Sequence, residues 1–505
     1  MDYDPTLQYP YSWLTCVEVP CNFHVFTGRS LQSGERVQGG MVFLPEKKYS
    51  ADELTTSFEN KETERRVHLY SELSLLEDGS CDLEPSVIGN TSFLHSDEWP
   101  LINDMLTSIF SSPYGYVLRE NVEYLIVDYL KDHSLEDALR DSSLSSVLLD
   151  NIIKKKCNEL LNLLDIRIGK NKFQEIYHNF LKRHLFEERT FEEFAQEFFK
   201  SSNVGLDTIV ENLFKQNGLP VFQIAGHCIS VEDGDKIYDF KVFNQGEVPG
   251  IITLSGNDPG WVIPPGEGRN IRKYVKNATN FNVNTILALN LPSLIELPNE
   301  KGNADTDTTM RFLPLDAPLF PTNDNEIIVD DKDPGFTIQE TRKFSLASLF
   351  GKVETRAKSY QFAPVNHWGF TIQRNCQGFP MKGAYFKKAG KGNQKVRWEA
   401  RLPQEGKYEV FCYLPYDEQS AYPSKAPRFS RKYYYTVFDG EEEHEVVLTM
   451  DKDDWRWISL GIFNFHGPTA WVTLSDRDRD SDSTDEKWGP QEVVADAMKW
   501  VKVRE

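Results

Sequence analysis

The spacing of hydrophobic positions changes several times along the chain, and those changes divide it. Near the start Val17 and Val19 alternate with Glu18, and Val37 to Leu44 reads as one strand interrupted by glycines. From Trp99 the spacing turns helical, with Leu101, Ile102, Met105, Leu106 and Ile109, then Val122, Leu125, Ile126, Tyr129 and Leu130. Further helices are predicted over 143–164, 172–184, 190–201 and 206–216. Thr190 followed by Glu193 is a capping-box pattern, and Gly218 with Pro220 closes the last helix. After Pro220 the period falls to two, with strands at 238–243 and 251–254. Residues 298–325, rich in Asn, Asp, Thr and Pro, read as a linker. From Glu326 onward, strands are predicted at 396–400, 406–413, 433–438, 444–449, 457–463, 470–474 and 495–503.

The expected fold class is therefore multidomain α+β: a mainly helical bundle within 1–220, a small β-sandwich over 221–297, and a larger, jelly-roll-like sandwich over 326–505. With 505 residues, 40% hydrophobic and 12% aromatic, the chain is too apolar for disorder and too long for a single core. A net charge of −21 argues against nucleic-acid and anionic-membrane partners. The run Lys154-Lys155-Lys156 reads as a solvated helix face. Seven scattered cysteines without a CxxC spacing predict neither a disulfide framework nor a cysteine-type zinc site. No apolar run is long enough to span a bilayer, and the start lacks the features of a signal peptide.

Catalytic motifs are largely missing. Two histidines four apart on one helix face would hold a zinc ion, but His95 is followed at that offset by Trp99, His133 by Asp137 and His178 by Lys182. Neither a GxSxG elbow, a phosphate-binding loop nor a dinucleotide fingerprint occurs. The acidic stretch 476–485 lacks the ordered ligand spacing of a calcium loop and carries neutralising arginines, so it reads as a solvated loop. The best candidate ligand site is Trp455 and Trp457 beside Asp453 and Asp454, because aromatic faces next to hydrogen-bonding groups suit sugar rings.

Two resemblances add to this. Tyr9-Pro10-Tyr11, Val17-Glu18-Val19-Pro20, Ile168-Gly169, the Thr190-to-Phe194 segment and Asn217-Gly218-Leu219-Pro220 resemble the aminopeptidase-N-like gluzincin metallopeptidases, and Val242 to Glu247 with Pro264 to Glu267 resembles the β-domain that follows. The resemblance spans roughly 5–297. The zinc helix belongs between Tyr49 and Leu118, where its motif does not occur, and Met41 is followed by Val42 where the family has Glu. No catalytic residue is carried over, so the resemblance implies a pseudo-metallopeptidase.

Val329 to Phe336, Ala400 to Pro403 with Gly406 to Val410, Trp457 to Gly461, and Val493 to Met498 are similar to the golvesin and xanthan-lyase type of C-terminal domain. That resemblance implies a carbohydrate- or surface-binding module of secreted or periplasmic bacterial proteins. The expected function is a non-catalytic binding or scaffold protein without a cofactor, whose partner is a polysaccharide or a cell-surface protein. The alternative is a zinc aminopeptidase fragment whose metal site lies upstream or is completed by another chain, the start at Met1 being that of a fragment or a shortened product.

Overall fold

The computed structural model describes residues 93–99, 101–103, 105–106, 120–184, 188–231, 234–254, 260–276, 282–300, 309–315, 318–319, 326–339, 366–415, 432–450, 456–477 and 492–503, and the strand backbone of 15–19, 35–38 and 41–45. Contacts group the chain into two units, 1–117 with 133–217 and 259–262, and 118–132 with 218–258 and 263–505.

In the first unit the interrupted strand expected near the start is two strands: Met41–Pro45 runs parallel to Thr15–Val19 and antiparallel to Glu35–Gln38. The helices Leu135–Arg140, Ser146–Ile168, Lys170–Arg183, Phe191–Ser202 and Leu206–Lys215 follow. Thr190 caps the fourth of these as its sequence predicts, accepting from the Glu193 backbone amide while the Glu193 carboxylate accepts from the Thr190 amide. A phenylalanine-rich core joins neighbours, with Phe180 and Phe194 edge-to-face at 5.0 Å and Phe173 against Phe198 at 5.8 Å.

Two expectations for the helical region need correction. Lys155 and Lys156 are buried rather than solvated, because Ser146–Ile168 is covered on much of its circumference. The Lys156 ammonium is satisfied one turn on by the Glu159 carboxylate, 2.9 Å away. The helix Glu120–Leu130 belongs to the second unit, so the helices from 99 onward do not form one continuous body in sequence. Its Tyr124 ring lies 5.1 Å from Phe370 of the strand Gly369–Ile372.

In the second unit, Phe222–Ser230, Lys236–Asn244 and Gly268–Val275 form an antiparallel sheet. The stretch expected to be a linker supplies another strand, Arg311–Leu315, paired along Gly268–Arg272. Pro314 and its exposed side chains suit an edge position. A second small sheet pairs Asn282–Asn284 with Leu294–Glu296 and with Gly250–Leu254.

The C-terminal region is built by period-two alternation. In Lys395–Arg401 the buried positions are Val396, Trp398 and Ala400; in Gly406–Leu414 they are Tyr408, Val410, Cys412 and Leu414; in Lys432–Phe438 they are Tyr433, Tyr435 and Val437. These side chains share one core. On one side lies a five-stranded sheet in the order 336–339, 395–401, 469–475, 432–438, 443–449. On the other lie a four-stranded sheet, 326–329, 498–502, 406–414, 456–465, and a three-stranded one, 369–372, 383–388, 492–495. This is a β-sandwich. The last expected strand, 495–503, is two strands, because Asp496 and Ala497 form the turn at which the chain passes from the three-stranded to the four-stranded sheet.

Candidate functional site

The outward face of the four-stranded sheet follows from its inward one. Since Tyr408, Val410, Cys412 and Leu414 point into the core, Glu409, Phe411 and Tyr413 point out. The neighbouring strands place Trp457 opposite Tyr413, Ser459 and Lys499 on either side of Phe411, and Ile328 beside Lys499. Of the four residues predicted to bind a ligand, Trp457 thus lies on this face, half-buried; Trp455, Asp453 and Asp454 fall outside the described residues. Phe411, Tyr413 and Lys499 are the residues that the sequence reading missed. Strict alternation in 406–414 exposes the first two as a pair, but only the strand register brings them to Trp457.

The three rings share this face as an aromatic strip, two of them in direct contact and the third joined to them through Lys499. Tyr413 and Trp457 meet edge-to-face at 5.2 Å, and the Lys499 ammonium stands 4.4 Å from the Trp457 centroid and 5.2 Å from that of Phe411. Contacts of this kind contribute roughly 0.5–1 kcal/mol at exposed positions. The Tyr413 hydroxyl donates to the Asn375 carbonyl at 3.1 Å, and burial pushes its pKa up to about 12, so it stays a neutral donor. Around the strip, Ser459 donates to Glu409 at 2.7 Å and Glu326 approaches Lys499 at 3.9 Å. An apolar strip rimmed by donors and acceptors can stack against the flat face of a sugar ring and hydrogen-bond its hydroxyls.

Beneath one end of the strip lies a second cluster. Asp330 and Asp331, at the end of the strand Glu326–Val329, and Asp496, at the turn between the last two strands, are held near Cys376. Burial pushes the Asp330 carboxyl up to about 6, with the Asp333 charge adding to it, and burial pushes those of Asp331 and Asp496 well above the ordinary range, with the Asp330 charge adding to both. One oxygen of each has no hydrogen-bond partner. Asp496 nonetheless organises the turn: its carboxylate accepts from the Gln377 amide at 3.1 Å, and its carbonyl accepts from the Trp398 indole at 2.8 Å. Lys332 caps the cluster from outside, its ammonium 3.4 Å from the Phe370 centroid and bonded to the Tyr124 hydroxyl at 3.3 Å. Burial against those rings pulls the Lys332 pKa down, while Asp331 pulls the other way.

His95 bonds to Asp97 at 3.0 Å, and Glu98 reaches Lys215 at 3.6 Å. Among the described residues no three His, Cys, Asp or Glu side chains are arranged to hold a metal ion, and no helix is long and apolar enough to cross a membrane. The acidic stretch expected as a solvated loop begins with a buried residue: Asp476 is 1% exposed and paired with buried Lys387 at 2.7 Å. It was misread because its partner lies on another strand.

Residues 355–502 match the family model described as the Golvesin C-terminal domain. Over those residues the sandwich carrying the aromatic strip is similar to the Golvesin C-terminal domain. A comparison with curated protein sequences gives no match. Among solved structures, a Paenibacillus xanthan lyase aligns at 15% identity and a TM-score of 0.25, covering 57% of this chain and 26% of the lyase, so the chain spans about a quarter of that protein. A family 35 carbohydrate-binding module from Clostridium thermocellum aligns at 11% identity and a TM-score of 0.21, covering 35% of this chain and 98% of the module. Legionella pneumophila aminopeptidase A aligns at 15% identity and a TM-score of 0.20, over 40% of this chain and 24% of that one. Likenesses this distant carry no weight for fold or activity, and the aminopeptidase-like resemblance of 5–297 rests on its sequence motifs alone.

Proposed function

We propose that the golvesin-type sandwich is a glycan-binding module and that the chain works by binding rather than by catalysis. The observation that carries this is the strip of Phe411, Tyr413 and Trp457 on one sheet face, with Ser459, Glu409, Glu326 and Lys499 within reach of a ligand stacked upon it. Outward aromatics placed side by side across strands leave ring area that the fold's own core does not use. The remainder of the chain is read as a scaffold that presents this module, a degenerate peptidase-like region without its metal ligands.

The test is binding of the full chain to a panel of soluble polysaccharides by affinity gel electrophoresis, followed by titration calorimetry with any that retard it. W457A should weaken binding about tenfold or more, the scale of a central aromatic contact, while leaving the fold intact. A chain that no polysaccharide retards, or whose retardation is indifferent to W457A, would contradict the proposal.

A further inference from the structure

The aromatic strip carries a positive charge at its centre, and, resting on the glycan-binding proposal, we infer that Lys499 makes the module selective for acidic polysaccharides of the polyuronate kind. Its side chain is only 17% exposed, and the strand register fixes it between Ile328 and Phe411. Its ammonium covers the ring face of Trp457 at 4.4 Å. A neutral sugar that stacks there displaces the ammonium and offers only hydroxyl groups in return. A uronate presents an apolar ring face with a carboxylate at its edge, so it can stack on the strip while its carboxylate accepts from the ammonium in a charge-assisted bond.

The neighbouring carboxylates fit this assignment. Glu326 stands 3.9 Å from the Lys499 nitrogen, beyond hydrogen-bonding distance, and is one-third exposed, so a ligand carboxylate can take up a closer position. Glu409 is occupied by the Ser459 hydroxyl at 2.7 Å. The net charge of −21 opposes a polyanion at long range, but the Debye length of about 8 Å at physiological ionic strength leaves the outcome to groups in contact with the ligand.

Polygalacturonate and its fully methyl-esterified form share one backbone and differ in charge, so titrating the full chain with each isolates the charge. The acid form should bind about tenfold more tightly, K499M should bring the two within about twofold, and E326Q should strengthen binding of the acid form alone. Equal affinity for the two forms, or a preference that survives K499M in a protein with unchanged circular dichroism, overturns the inference. Trp457-dependent binding confined to neutral polysaccharides overturns the selectivity and leaves the glycan-binding proposal standing. Failure of every polysaccharide to bind overturns both.

Discussion

Replacing Asp330 with Asn should stabilise the chain at neutral pH and have almost no effect in mild acid. The Asp330 carboxyl has one buried oxygen without a partner, and burial raises its pKa from 3.8 to about 6, with Asp333 adding to the shift. Between those values the folded chain holds a proton that the unfolded chain has released. Stability therefore falls as pH climbs from about 4 to about 6 and then levels off for this group. A shift of about two units corresponds to at most about 3 kcal/mol near pH 7. Asp331 and Asp496 are displaced in the same direction, with the Asp330 charge adding to both, so removing that charge also eases theirs. Asn keeps the shape and the backbone hydrogen bonding of the turn while removing the charge. Urea unfolding at about pH 4 and about pH 7 should show a gain for D330N of up to about 3 kcal/mol at the higher pH and close to none at the lower. A variant destabilised equally at both values would refute the reasoning, because it would mean that the carboxylate is well satisfied in the folded chain.

The buried pair of Lys387 and Asp476 should behave in the opposite sense, since K387M strands a carboxylate that is 1% exposed. Its expected cost is about 3–5 kcal/mol in a urea titration, with D476N added on top recovering much of it. T190A removes the hydroxyl that accepts from the Glu193 amide and should lower the stability of the helical unit by about 1 kcal/mol, read by urea unfolding monitored by helical circular dichroism. W398A opens a cavity in the sandwich core and breaks the indole bond to the Asp496 carbonyl, so calorimetric melting should reveal a loss of about 3–5 kcal/mol.

The parts of the fold that were legible in the sequence are those governed by local rules. The capping box at Thr190 is one, and the alternating strands 395–401, 406–414 and 432–438 are others, because each announces its buried face by spacing alone. Strands 326–329, 336–339, 369–372 and 383–388 were not anticipated; they are short, and all but 369–372, which pairs with nearby 383–388, are held by partners distant in sequence rather than by their own pattern. The same limit applies to charge. Lys156 and Asp476 looked solvated because charged runs usually are, and the burial of Asp476 depends on Lys387 from another strand. At the candidate site Trp457 was visible as an aromatic with alternating neighbours. Phe411, Tyr413 and Lys499 join it only through cross-strand register, which a single sequence does not display.

The central claim is that the strip of Phe411, Tyr413 and Trp457 binds glycan. Its most direct measurement is the retardation of the full chain and of W457A in native gels cast with individual polysaccharides. The account predicts that at least one polysaccharide slows the wild-type chain and that W457A, folded as judged by circular dichroism, migrates as it does in a gel without polysaccharide. Equal mobility of the two proteins in every gel would contradict it.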